Sequence, residues 1–289
     1  MTNTLSLEYI RLLLLKLLKL FISDKPKLPW DSNFNTKDYF DYKLKIGVIV
    51  RLYRDSILCR YIYDGYEIDE QLFIAKILRK GDYMVDIGAN IGLYSLIAAK
   101  LVGRKGRVIS FEPTPKIYNR FAKNIEINSF KNIDLRNIAL SNIQGDFPFY
   151  ISENGYDAWN SFAKTDNEKF QNKVEVPTAL LDNELSLSEK PKIKFIKIDV
   201  EGWEKFIIEG GRNYFMEYSP IVMVEFTESN TLAAGYFVQE IYDLMNELGY
   251  KWYRFENGQL QIETKKDKYP YSNLIAFKTC QSEINKLIK

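Results

Sequence analysis

The chain has no histidine in its 289 residues and only two cysteines, Cys59 and Cys280. A catalytic triad built on histidine is therefore excluded, as is a structural zinc site of the usual cysteine and histidine composition. Any general base has to be a carboxylate, a lysine or a tyrosine. Two thiols so far apart do not make a disulfide framework, which suits a reducing compartment and leads to the expectation of a cytoplasmic protein. A dominant charge of one sign is also missing. Forty Lys and Arg face 38 Asp and Glu, a net charge of +2, and no contiguous basic block is present to track a phosphate backbone. Nucleic acid is not an expected partner.

Nor is there an uninterrupted apolar run long enough to span a bilayer. The most apolar stretch, Leu5 to Ile22, is broken by Glu8, Arg11, Lys16 and Lys19, which fall on one side of a helix, opposite Leu7, Ile10, Leu13, Leu14, Leu17 and Phe21. Such an amphipathic helix packs on its own domain or on a second copy of the chain, or lies peripherally on a membrane. It lacks the basic start and small-residue cleavage site of a secretory signal and is expected to stay in the mature protein. The first 60 residues carry eleven Lys and Arg against six Asp and Glu, so any attraction to an anionic surface belongs to this end.

What is present is apolar material for one large α/β core: 46% of residues are hydrophobic. Residues 43 to 63 alternate like strands, as in Leu44, Ile46, Val48 and Val50, and lead to a turn at Asp64-Gly65. The apolar spacing from Tyr66 to Lys80 predicts a helix that stops at Gly81. Beyond it, strands near 83–87, 107–111, 133–138, 193–199 and 221–226 alternate with helical patterns, the signature of a parallel sheet covered on both faces. We divide the chain into an accessory segment, 1–63, and a catalytic domain, 64–289.

Three motifs fall at the carboxyl ends of those strands, where open α/β sheets bind ligands. In the first, Met84-Val-Asp-Ile-Gly-Ala-Asn-Ile-Gly92, a strand ends in Asp86 and turns on Gly88. Gly88 lets a ligand approach the backbone, Gly92 lets the following helix pack closely, and Asp86 and Asn90 offer polar groups where packing requires none. The second strand ends in Glu112, at the spacing from the glycine turn at which an acidic side chain holds a ribose diol. A nicotinamide-dependent oxidoreductase would share that spacing, but the turn reads Gly-x-x-x-Gly and lacks the third glycine of the pyrophosphate motif. Adenosine without pyrophosphate fits better. The third motif, Lys194-Phe-Ile-Lys-Ile-Asp-Val-Glu-Gly-Trp-Glu204, places Lys197 and Asp199 in a buried strand and Glu201 in the turn after it. A buried charge there needs a partner or a task.

Together with Asn137-Ile-Ala-Leu-Ser141 and Pro220-Ile-Val-Met-Val-Glu225, these motifs resemble the FkbM methyltransferases over residues 64 to 226. The resemblance implies a class I, Rossmann-like fold: a doubly wound, mostly parallel seven-stranded sheet closed by an antiparallel final strand. It implies S-adenosylmethionine as methyl donor, with hydroxyl acceptors on sugars, glycans or other metabolites. Asp86, Gly88, Ala89 and Asn90 would hold the methionine portion, Glu112 the ribose, and Asn137, Ile138 and Ala139 would lie beside the adenine. Gly65-Tyr66-Glu67 resembles the element before the family's first strand, which places Glu67 near the donor's amino acid end. A donor-binding module without catalysis is the remaining alternative, and the intact Lys197, Asp199 and Glu201 speak against it.

Methyl transfer to oxygen needs a proton acceptor. Asp199 is the first candidate and Glu201 the second, with Lys197 holding the charge or orienting the acceptor and Glu225 a third carboxylate on the same edge. Three carboxylates could hold one divalent cation, but nothing in their spacing demands it. Residues 147 to 175 are expected to be a long loop over the acceptor, presenting Tyr156, Trp159 and Phe162 to a polyhydroxylated ligand.

Overall fold

The computed structural model describes residues 28–152, 160–162, 170–185 and 193–278. The amphipathic stretch 5–22, Cys280, Tyr156 and Trp159 lie outside them. Among the described residues of the accessory segment, a 3-10 turn at Trp30–Asn33 precedes an antiparallel hairpin, β1 (Tyr39–Lys43) and β2 (Ile49–Tyr53), and helix α1 (Ile57–Asp64) closes the segment; α2 (Ile68–Ile77) follows it. The expected strand pattern therefore gives way to a helix at residue 57. Ser56 caps its start by accepting the Cys59 amide at 3.1 Å, and Gly65, at φ 107°, ends it in the left-handed conformation that glycine adopts without strain.

The central sheet is built from β3 (Tyr83–Ile87), β4 (Arg107–Phe111), β5 (Ile133–Arg136), β9 (Ile193–Ile198), β10 (Ile221–Phe226), β11 (Lys251–Glu256), β12 (Gln259–Ile262) and β13 (Ser272–Phe277). Their order is β12-β11-β13-β10-β9-β3-β4-β5. The five strands from β10 to β5 are parallel, and β13 enters antiparallel between β10 and β11. Seven of these strands form the expected doubly wound sheet. The eighth, β12, is the return of a two-residue hairpin at Asn257-Gly258, both at positive φ.

Helices α3 (Leu93–Val102), α4 (Pro115–Asn128), α6 (Glu204–Gly210), α7 (Arg212–Tyr218) and α9 (Gln239–Glu247) cover the two faces, with short α5 (Leu181–Leu185) and α8 (Glu228–Ala233) at the margins. Because both faces are covered, the central strands are almost continuously apolar. Val85, Ile109, Ile196 and Val222 enter one core, and Met84, Val108, Phe195 and Met223 the other. Asp86, Lys197 and Glu225 are the charged residues fully buried within these strands.

The accessory hairpin is tied to α4 by two asparagines. Asn124 accepts the Arg51 amide at 2.7 Å and donates to the Ile91 carbonyl at 2.9 Å. Asn128 accepts the Ile49 amide at 2.8 Å. The hairpin and α1 share one apolar core with Leu93, Leu96 and Phe121 of the sheet domain.

The two ends of the stretch expected to be a long loop are β structure among the described residues. Strand β7 (Gly145–Ser152) pairs antiparallel with β8 (Phe170–Ala179), and β6 (Ala139–Leu140) completes a three-stranded sheet. Alternation along β7 is interrupted by Pro148, which conceals the strand in the sequence, yet Phe149 is buried beneath it.

Candidate active site

The loops after β3, β4, β9 and β10 meet at one edge of the sheet. Gly88 and Ala89 both donate their amides to the Phe111 carbonyl at 3.0 Å, and Asp199 donates its amide to the Ile87 carbonyl at 3.1 Å. Three strand ends are thereby laced together. A Cβ on Gly88, which sits at φ 79°, would collide with the Asp199 carbonyl oxygen, so glycine is required by a close backbone crossing.

Two compartments open at this edge and share Gly88, Asn90, Asp199 and Glu201. The first spans about 520 Å³, its open mouth included, between apolar walls that include Phe111, Ile138, Leu140 and Phe162, with Glu112 among its polar groups. The second spans about 490 Å³ on the same measure and is lined by Tyr66, Asp86, Ala89, Tyr94 and Lys197.

Glu112, buried at the end of β4, is fixed by two backbone amides: Oε2 accepts from Asn90 at 3.0 Å and Oε1 from Thr114 at 2.9 Å. Asp86 is 1% exposed. Its Oδ2 accepts from the Ser95 hydroxyl, while its Oδ1 is buried without a hydrogen-bond partner. Burial raises its pKa, against the pull of the Lys197 ammonium. Lys197 is its register partner on β9, also buried, and donates to Asp199 Oδ2 at 2.5 Å. Burial disfavours the lysine's charge, but attraction to Asp199, Glu67 and Asp86 outweighs it and holds the proton above the usual lysine range.

Glu201 sits at φ 55° in the turn after β9, and its Oε2 accepts from Asn230 at 2.5 Å. Glu225 is the penultimate residue of β10, with Oε1 accepting from Thr227 at 3.0 Å and Oε2 buried without a partner. Oxygens of Asp199, Glu201 and Glu225 lie within 4.8 Å of one another. Burial and then mutual repulsion push the Glu201 and Glu225 carboxyls well above the usual range, with Asp199 contributing to both. The turn is held from below by Glu204, whose Oε1 accepts the amides of Val200 at 3.1 Å and Gly202 at 3.2 Å.

Most of the residues expected at the site line it, with four departures; one is Glu225, which lines neither compartment and meets the edge only through its neighbours Asp199 and Glu201. Glu67 lines neither compartment. Its carboxylate instead gathers the Tyr94 hydroxyl at 2.5 Å, the Tyr271 hydroxyl and the Asn273 amide at 2.8 Å. Asn137 also lines neither; its amide staples the Glu112 and Pro113 carbonyls at 2.8 and 2.9 Å and so supports the loop from behind, while Ile138 and Ala139 form the wall. Gly92 stands away from both compartments, and its missing side chain makes room for the Phe121 ring of α4. Phe162 packs against Trp203 at 5.0 Å between ring centroids and reaches the first compartment.

Sequence reasoning missed Tyr66, Tyr94, Thr114 and Asn160. Asn160 lines the first compartment, accepts the Ser152 amide at 2.8 Å and lies 3.3 Å from the Thr114 hydroxyl. Its place between Trp159 and Phe162, in a stretch with no helical or strand period, is the signal the sequence offers.

The sequence is similar to the hexuronic acid methyltransferase AglP of Haloferax volcanii, at 29% identity over 145 residues, 49% of this chain and 55% of that protein. The chain thus spans about half the length of that relative. It is 26% identical over 197 residues to the methyltransferase sdnD of Sordaria araneosa, 59% of this chain and 75% of that protein. Its fold is similar to the crystal structure of methyltransferase FkbM from Methylobacillus flagellatus KT, with a TM-score of 0.45 and 14% identity over 76% of this chain and 52% of that one. Residues 86–252, more than half of the chain and the whole span from Asp86 on β3 to Trp252 on β11, match the methyltransferase FkbM domain, and the chain belongs to that family.

Proposed function

We propose that the protein is an S-adenosylmethionine-dependent O-methyltransferase acting on a sugar or glycan hydroxyl. The observation that carries this reading is the pairing of two unlike compartments at one strand edge. The first has apolar walls suited to an adenine and Glu112 suited to a ribose diol. The second presents Asp86 Oδ1, a buried acceptor with no partner in the protein, suited to an ammonium such as that of a methionine moiety. Gly88, at the junction, keeps the passage between them free of a side chain.

When bound, S-adenosylmethionine supplies an electrophilic methyl group on a sulfonium. The protein's residues do the rest. Asp199 borders both compartments and takes the proton of the acceptor hydroxyl on one oxygen, while Lys197 steadies the other. Glu201 and Glu225 flank the approach. The name of the Haloferax relative supports a carbohydrate acceptor. The family match favours this reading over a nicotinamide-dependent one.

Calorimetric titration tests the donor. S-adenosylhomocysteine is expected to bind and NAD not to bind. Glu112→Ala should weaken S-adenosylhomocysteine at least about tenfold, since even one lost charge-assisted hydrogen bond is worth about 1.5–3 kcal/mol. Binding of NAD in place of S-adenosylhomocysteine would refute the reading, and an unchanged affinity in the variant would remove Glu112 from the donor site.

A further inference from the structure

We propose that Asp199, Glu201 and Glu225 form a binding site for one divalent cation beside the donor cleft. The spacing of these residues in sequence gives no hint of it; the fold makes it by bringing the ends of β9 and β10 together. Their carboxylate oxygens lie within 4.8 Å of one another. Three oxygens so spaced lie within about 2.8 Å of a common centre, close enough to the roughly 2.3–2.6 Å of a cation's oxygen ligands for small side-chain rotations to complete the shell.

The second observation is the state of Glu225. It is 6% exposed, and Oε2 is buried without a hydrogen-bond partner. A carboxylate taken out of water in this way needs a compensating charge or donor. Lys197, the buried ammonium of the site, is already committed to Asp199 Oδ2. The pattern repeats across the group. Asn230 holds Glu201 Oε2, Thr227 holds Glu225 Oε1, and each carboxylate is left with its other oxygen for a further ligand. Oxygen ligands, all anionic, select a hard cation over a soft one.

The site stands on this geometry alone; its part in catalysis rests on the methyl-transfer reading. An acceptor hydroxyl that completes the cation's shell is a stronger acid than in water, which lightens the demand on Asp199 as proton acceptor. An acidic edge neutralised by a cation also admits an acceptor that itself carries negative charge.

Mn²⁺ is a suitable probe because its free and bound forms are distinguished by electron paramagnetic resonance. The full chain, stripped with EDTA, should show one saturable Mn²⁺ site, weakened at least tenfold in Glu225→Gln and in Glu201→Gln, with folding of each variant verified by circular dichroism. Absence of a saturable site in the wild type, or wild-type affinity in both variants, would overturn the proposal. S-adenosylhomocysteine titrated in EDTA is read separately: donor binding without Mn²⁺ binding defeats the cation site and leaves the donor reading intact.

Discussion

Asp199 follows Lys197 by two positions, immediately past the end of β9, and there the two side chains meet at 2.5 Å. Asp199→Asn should keep S-adenosylhomocysteine affinity within a few fold while lowering turnover on the true acceptor by about 10²–10⁴, the usual contribution of a positioned base. It should also lower stability by about 1–3 kcal/mol, because Lys197 loses its ionic partner in a buried site. Wild-type turnover would show that the proton goes elsewhere. A second residue-scale outcome concerns Glu70, whose pKa burial and repulsion from Glu67 raise to about 7, against the Asn273 amide that lowers it. In the unfolded chain the group titrates near 4.5. The folded state therefore binds the extra proton between these values, and stability falls as pH rises through that window, by about 1–3 kcal/mol in all. Glu70→Gln should remove this part of the slope, measurable as urea midpoints from pH 4 to 8. Asp86, Lys197 and Asp199 were legible in the sequence because a charge inside an apolar strand has few innocent explanations. Tyr271 was not: it reaches Glu67 across 204 positions, and nothing local distinguishes it from the other tyrosines.

At the scale of elements, the turn after β3 was read correctly because strand, glycine and helix follow one another within a few residues. Its glycines divide their work along the expected line, Gly88 facing the cleft and Gly92 facing a helix, although the ring packed on Gly92 is Phe121 of α4 rather than part of the helix that follows it. Gly88→Ala combines a positive φ with a backbone collision, and should destabilise the protein by about 3 kcal/mol or more in urea unfolding. A small effect would mean that the crossing of β3 and the Asp199 turn is looser than it stands here. Helix α1 and strands β7 and β8 were not foreseen. In α1 the apolar residues follow a strand-like run without a break, and only the Ser56 cap marks the change. In β7 and β8 the pairing is between distant segments, so neither carries a hairpin turn that a local pattern would reveal.

At the scale of the molecule, the hairpin β1–β2 is fastened to the sheet domain through Asn124, which is fully buried and bridges Arg51 to Ile91. Asn124→Ala leaves an amide and a carbonyl unsatisfied and should cost about 2–4 kcal/mol. Unfolding should remain a single transition, because hairpin and α3 share one core. A separate early transition would show that the segment is an independent unit. The sheet order carries a consequence for biosynthesis. Strand β10 is buried along its whole length, and its outer neighbour is β13, the last described strand to leave the ribosome. Until β13 arrives, the nascent chain presents β10 as an open, apolar edge with unpaired amides and carbonyls, a template for pairing with another chain. Interrupted synthesis ahead of Tyr271 would thus yield an aggregation-prone polypeptide, and one whose Glu67 still waits for Tyr271 and Asn273 to fix it in place.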